Sequence, residues 1–169
     1  RDRRMEATTL TSLAIMNAIA NRYDEAAPLF EAALILSRTL GDRRQEGIIL
    51  NNYGAILADL DRMAEALDHH RSALAIFREL GDPKWEATLL AAIGIDLVNQ
   101  GALPEARASY ESAFLLIRVL GDRRLAAWVS TLMGNACSLE GRTAEATPHF
   151  ETALQLHREM HDRSGECVV

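Results

Sequence analysis

The residues best able to do chemistry in this sequence are few and scattered. His157 and His161 stand four residues apart, the spacing at which two imidazoles on one helical face can hold a metal ion. No carboxylate signature of the His-Glu-x-x-His kind accompanies them, and the adjacent His69 and His70 would point about 100° apart on a helix. We therefore predict no metal site.

The two cysteines and the glycines give no support for catalysis. Cys137 and Cys167 lack any paired spacing, which favours a reducing, cytoplasmic location over a disulfide framework, and Cys137 occupies a position typical of a small core residue. There is no phosphate-cradling glycine loop and no Ser/His/Asp or Cys/His grouping. We therefore predict no enzyme activity and no cofactor.

Composition restricts the classes of partner. The 169 residues carry 18 Lys and Arg against 24 Asp and Glu, a net charge of −6, so the clustered basic face that nucleic acid requires is not expected. No stretch is long and apolar enough to span a bilayer. Composition therefore argues against nucleic acid and the membrane as partners.

The elements that position these residues are copies of one unit. Gly41-Asp42, Gly81-Asp82 and Gly121-Asp122 recur every 40 residues, and internal repetition of this length is typical of stacked arrays. The predicted repeats cover about 1–40, 41–80, 81–120 and 121–160, in a single array over 1–169. Residues 161–169 begin a fifth copy, so we expect the segment to derive from a longer array.

Each copy predicts a helical hairpin. A residue type that tolerates a left-handed backbone closes the first helix of each copy: Asn21, Asp61, Gly101 and Gly141. The Gly-Asp joint ends the second helix, and its Asp can cap the next one. In the second copy the pattern predicts helices over about 43–60 and 64–80.

Small residues recur where two helices must approach closely. They form one row in the first helix of each copy and another in the second: Ala14, Gly54, Gly94 and Gly134, then Ala26, Ala66, Ala106 and Ala146. A row of larger rings, Phe30, Tyr110 and Phe150, flanks them, with His70 in the same register. This arrangement indicates close helix packing.

The pattern Leu-x-x-Tyr-Gly-x-x-Leu over 50–57, followed by Ala66 and Ala73, resembles the tetratricopeptide repeat. The 40-residue period is similar to the longer variant found in kinesin light chains, in Pins-type adaptors and in bacterial regulatory arrays. The resemblance implies an all-α, right-handed superhelical solenoid of four antiparallel helical hairpins. It also implies a concave groove lined by the first helix of each repeat.

In the first helix of each repeat, the side opposite the row of small residues is predicted to line the groove. Its residues are apolar or neutral-polar, with one acid: Thr11, Ile15, Ile48, Asn51, Asn52, Asp59, Ile95, Asn99, Trp128 and Asn135. Because Lys and Arg are absent, we expect a ligand held through apolar side chains and backbone amides. Asn52 matches an Asn that holds the ligand backbone in long-period members of the family. The asparagines could instead be merely solvated, and a further repeat could cover Trp128.

The primary hypothesis is a non-catalytic interaction scaffold that binds a peptide or helical segment in this groove, within a larger regulatory or signalling protein. Two alternatives remain open. One is a peptide- or ligand-sensing domain of a transcription activator. The other is a structural array that self-associates through its repeat ends or its groove.

Overall fold

Eight helices and the turns between them make up the described part of the chain. A computed structural model describes residues 3–160, which contain no β-strand. The helices are α1 (Arg3–Ile19), α2 (Tyr23–Thr39), α3 (Arg43–Asp59), α4 (Met63–Glu79), α5 (Pro83–Asn99), α6 (Leu103–Leu120), α7 (Arg123–Leu139) and α8 (Thr143–Glu159). The hairpin predicted for the second copy is confirmed to within one residue. The predicted fifth copy lies outside the described residues.

The turns have the backbone geometry that the sequence predicts. Asn21 and Asp61 follow the first helix of their repeats with φ of 58° and 61°, the left-handed region that Asn and Asp tolerate better than most residues. Gly121, with φ of 66°, ends α6 in the same way. These turns reverse the chain within a few residues, so that consecutive helices run antiparallel.

The Asp of each joint begins the next helix. In every case one carboxylate oxygen accepts a hydrogen bond at 3.1 Å from a backbone N–H three residues later: Asp42 from Gln45, Asp82 from Trp85, and Asp122 from Leu125. These bonds satisfy one of the free N–H groups of the first turn. The joint also links repeats, since the Lys84 ammonium lies 2.8 Å from the Asp122 carboxylate.

Helices within a hairpin meet at the row of small residues. A Cβ placed on Gly94 would lie 2.2 Å from a ring carbon of Tyr110, and one on Gly134 would lie 2.6 Å from the Phe150 ring. The second hairpin shows the same fit, with Gly54 against the imidazole of His70. The predicted close approach is therefore confirmed, and it is made by ring on glycine.

The described helices form two compact units, the first ending at Gly81 and the second beginning at Asp82. In the first unit α1 packs on α2 and α3 on α4, with further contacts of α3 to α1 and α2. In the second unit α5 packs on α6 and α7 on α8, with further contacts of α7 to α5 and α6. Each unit thus holds two of the predicted repeats. Within residues 3–160 no helix combines the length and the hydropathy needed to cross a membrane.

Replacing a glycine of the small-residue row by alanine has two opposing effects on stability: it crowds the ring that packs on the glycine, and it raises the helix propensity of the position. Gly94→Ala should lower the free energy of unfolding by about 2 kcal/mol, because overpacking against the buried Tyr110 ring outweighs a propensity gain of about 1 kcal/mol. Gly134→Ala should be nearly neutral, because the Phe150 ring is only half-buried and can shift. Urea unfolding measures both, and equal effects would contradict the account.

Two buried serines should respond oppositely to removal of their hydroxyls. Ser109 Oγ donates to the carbonyl oxygen of Leu90 at 2.9 Å, whereas the buried Ser130 Oγ has no hydrogen-bond partner among the described residues. Ser109→Ala should therefore destabilise the chain by about 1 kcal/mol, and Ser130→Ala should stabilise it by a similar amount. Thermal unfolding of the pair tests the sign, and a loss of stability in Ser130→Ala would refute this assignment.

Candidate functional site

The second unit brings part of the predicted groove together in a crevice between α5 and α7. The two helices are equivalent elements of successive repeats, 40 residues apart. Thr88 and Ile95 on α5 therefore correspond to Trp128 and Asn135 on α7. Seven residues are two helical turns, so each pair on one helix spans about 10 Å along the axis. We call this surface the α5/α7 crevice. It has two concave parts.

The first part is a pocket of about 500 Å³ toward the C-terminal ends of the two helices. Its lining is mostly apolar and comes from α5, α6 and α7: Ile95, Val98, Tyr110, Leu132, Asn135, Ala136, Ser138 and Leu139. This volume falls in the usual range for ligand pockets, roughly 300 to 1,000 Å³. Ile95 and Asn135 were predicted as groove residues, and they line the same pocket.

Asn135 and Leu139 give the pocket its accessible chemistry. The Asn135 side chain is exposed, and its amide makes no hydrogen bond to other described residues. Leu139 keeps 63% of its surface exposed, whereas the Ser138 hydroxyl already donates to the Gly134 carbonyl oxygen at 2.9 Å. Burial, with a smaller effect from the Asp96 carboxylate, raises the pKa of Tyr110, so its phenol stays protonated. The pocket can therefore bind an apolar group beside one free amide.

The second part is a notch of about 260 Å³ at the N-terminal ends of the same helices. It is lined by Lys84, Thr88, Asp122, Arg124, Leu125 and Trp128. The expectation that Lys and Arg are absent from the groove is therefore wrong at this end. Lys84 stands four residues before Thr88, and Arg124 stands four residues before the predicted groove residue Trp128. Residues four apart lie on the same face of a helix.

The charges in the notch do not cancel. The Lys84 ammonium, followed in effect by the backbone N–H of Leu125, holds the pKa of the Asp122 carboxyl below its ordinary value, so this pair is ionised and neutral overall. The Arg124 guanidinium makes no ion pair or hydrogen bond with another described residue. Trp128, which is 39% exposed, borders the notch.

The other predicted groove residues do not line the pocket or the notch. In the first unit Ile15, Ile48, Asn51 and Asn52 are partly exposed, and the Asn51 amide donates to Asn52 Oδ1 at 3.4 Å. Asp59 is fully at the surface. In the second unit Asn99 is exposed at the end of α5 and does not line the pocket.

Thr11 does not belong to an accessible surface. Only 4% of it is exposed, and its hydroxyl donates to the carbonyl oxygen of Ala7 at 2.8 Å. The equivalent residue of the third repeat, Ala91, is fully buried. Thr11 is therefore a packing residue, and we correct the prediction that placed it in the groove. Asn51 and Thr131, which occupy the same register position in the second and fourth repeats, are half-buried.

Metal sites and reactive cysteines each require a particular arrangement of side chains among the described residues. No three His, Cys, Asp or Glu side chains within residues 3–160 are arranged to hold a metal ion. Cys137 is buried, as predicted, and burial raises the pKa of its thiol, which disfavours the reactive thiolate. His161 and Cys167 lie outside the described residues.

Comparison with solved structures finds the same fold at low sequence identity. BtubC from P. vanneervenii is 20% identical with a TM-score of 0.82, and the match covers 95% of this chain and 66% of BtubC. A signal transduction ATPase with a tetratricopeptide repeat sensor, from Pyrococcus horikoshii, is 15% identical with a TM-score of 0.90 over 98% of this chain and 26% of its own. A Rap protein complexed with competence and sporulation factor is 17% identical with a TM-score of 0.87, and the match covers 98% of this chain and 46% of the Rap chain.

The chain thus spans between 26% and 66% of the lengths of these structures. No curated protein sequence matches it. The tetratricopeptide repeat profile, in contrast, matches residues 5–79, 45–114 and 85–159, which together take in nearly the whole chain. This chain belongs to the tetratricopeptide repeat family.

Proposed function

We propose that this chain binds an extended segment of a partner protein in the α5/α7 crevice, with a large apolar side chain of the partner in the C-terminal pocket. The tetratricopeptide repeat is a protein-interaction fold that is generally non-catalytic. The single observation that carries the proposal is the pocket of about 500 Å³ whose apolar lining includes one free amide.

Energetic considerations favour an apolar anchor in this pocket. Burying apolar surface is worth about 25 cal/mol per Å², so covering Leu139 and its neighbours favours a bound aliphatic or aromatic side chain. The Asn135 amide has both a donor and an acceptor, which suits the N–H and C=O of a peptide backbone that passes over the pocket. Binding of this kind supplies affinity from the side chain and orientation from the backbone.

The regulatory setting is a second part of the proposal. One structural neighbour is a signal transduction ATPase with a tetratricopeptide repeat sensor, and another is a Rap protein complexed with competence and sporulation factor. By analogy we place this chain in a larger regulatory protein in which occupancy of the crevice controls an attached output. Asn51 and Asn52 on the first unit are candidates for further contacts with the same partner class.

The pocket can be tested by adding a charge to its edge. Randomised twelve-residue peptides displayed on phage are selected against the chain, and the affinity of the most enriched peptide is measured by calorimetry. Leu139→Lys should weaken that peptide at least tenfold, because an ammonium replaces an apolar contact. Asn135→Ala should weaken it about fivefold, since loss of one hydrogen bond costs about 1 kcal/mol.

Val119→Lys is the matched control. Val119 is an exposed apolar residue of α6 that does not line the pocket, with 89% of its surface accessible. It should leave the affinity unchanged, and circular dichroism should show that all three variants remain helical. Enrichment of no peptide, or equal weakening by Leu139→Lys and Val119→Lys, would refute the proposed function.

A further inference from the structure

The notch at the N-terminal end of the α5/α7 crevice carries one positive charge that the described residues do not neutralise. Lys84 and Asp122 pair at 2.8 Å, which leaves the Arg124 guanidinium as the uncompensated group. Its neighbour Arg123 differs, since its guanidinium lies 3.6 Å from the Glu159 carboxylate. Among the cations that the structure describes at this joint, Arg124 is thus the one without an ion pair.

The surroundings of Arg124 suit a carboxylate better than a solvated counter-ion. The notch is concave, and Trp128 and Leu125 give it an apolar wall. A carboxylate placed there is partly removed from water, which strengthens its attraction to the guanidinium. The five N–H donors of Arg match the two oxygens of a carboxylate, so the contact also fixes orientation.

We propose that the notch is an acidic subsite: Arg124 binds the carboxylate of an Asp or Glu side chain in the same partner segment whose apolar side chain enters the C-terminal pocket. This inference rests on the proposed function and names the second recognition element of the ligand. Charge complementarity is its basis.

The helix geometry sets the spacing between the two elements. The middle of the notch and the middle of the pocket are separated by about ten residues of α7, or about 15 Å. An extended chain rises about 3.3 Å per residue, so four residues cover about 13 Å. Side chains four apart in an extended chain also point to the same side, whereas those five apart do not. The ligand therefore carries its acidic residue four positions from its large apolar residue.

The same displayed library tests this inference when it is selected in parallel against three proteins: the unaltered chain, Arg124→Gln and Arg123→Gln. For the unaltered chain and for Arg123→Gln, sequencing should show Asp or Glu enriched four positions from a large apolar residue. For Arg124→Gln the apolar enrichment should persist and the acidic enrichment should disappear. Arg123→Gln controls for loss of one positive charge at the same joint.

Affinities then measure the contact. Replacing the acidic residue of the selected peptide by its amide should weaken binding to the unaltered chain about tenfold, as expected for loss of a charge-assisted hydrogen bond. The same replacement should change binding to Arg124→Gln less than twofold. A tenfold rise in NaCl should weaken the acidic peptide on the unaltered chain and have little effect on Arg124→Gln.

The outcomes separate the two proposals. Apolar enrichment without acidic enrichment, or acidic enrichment that persists in Arg124→Gln, overturns the acidic subsite and leaves the pocket in place. Acidic enrichment ten positions from the apolar residue overturns the extended conformation, because that spacing belongs to a bound helix. If apolar enrichment is lacking as well, the proposed function itself fails.

Discussion

Contact between a ring and a glycine, made inside three of the four described hairpins, is the constraint on which the rest of this structure depends. Gly94 leaves the Tyr110 ring no room for even a methyl group, and the same fit recurs at Gly134 and, with an imidazole, at Gly54. Because packed interiors tolerate little change in volume, these contacts fix how far apart the two helices of a hairpin lie and how they are rotated. Once the rotation is fixed, the face that each helix presents to solvent is fixed as well.

The proposed binding surface depends on that rotation. With the packing row of α5 and α7 turned toward their hairpin partners, the opposite stripe of each helix faces the crevice between them. Its C-terminal half is apolar around Asn135, and its N-terminal half holds Lys84 and Arg124. The chain is acidic overall, with a net charge of −6, so a basic notch is a local feature with a definite consequence. An acidic segment, which a negatively charged surface would otherwise repel, is the ligand that we propose for it.

Much of this fold is readable from the sequence because the fold signals are local. A left-handed residue such as Asp61 and a cap such as Asp122 each act within a few residues, and the 40-residue period repeats them. The residues that line the groove are harder to predict from the sequence. Thr11 is buried by packing that its polarity does not reveal, and the predicted groove omits Arg124, although Arg124 lines the notch of the crevice. The pocket itself depends on side chains of three helices, and no local pattern encodes its volume.

The central claim is that the α5/α7 crevice is the binding surface, and the side-chain N–H resonances of its two most informative residues report on it directly. In ¹⁵N-labelled chain, a selected peptide should shift the indole N–H of Trp128 and the amide N–H₂ of Asn135 together, with one titration midpoint. The amide of Asn21, which lies in a turn of the first unit, should stay in place. Shifts at Asn21, with none at Trp128 and Asn135, would contradict the account.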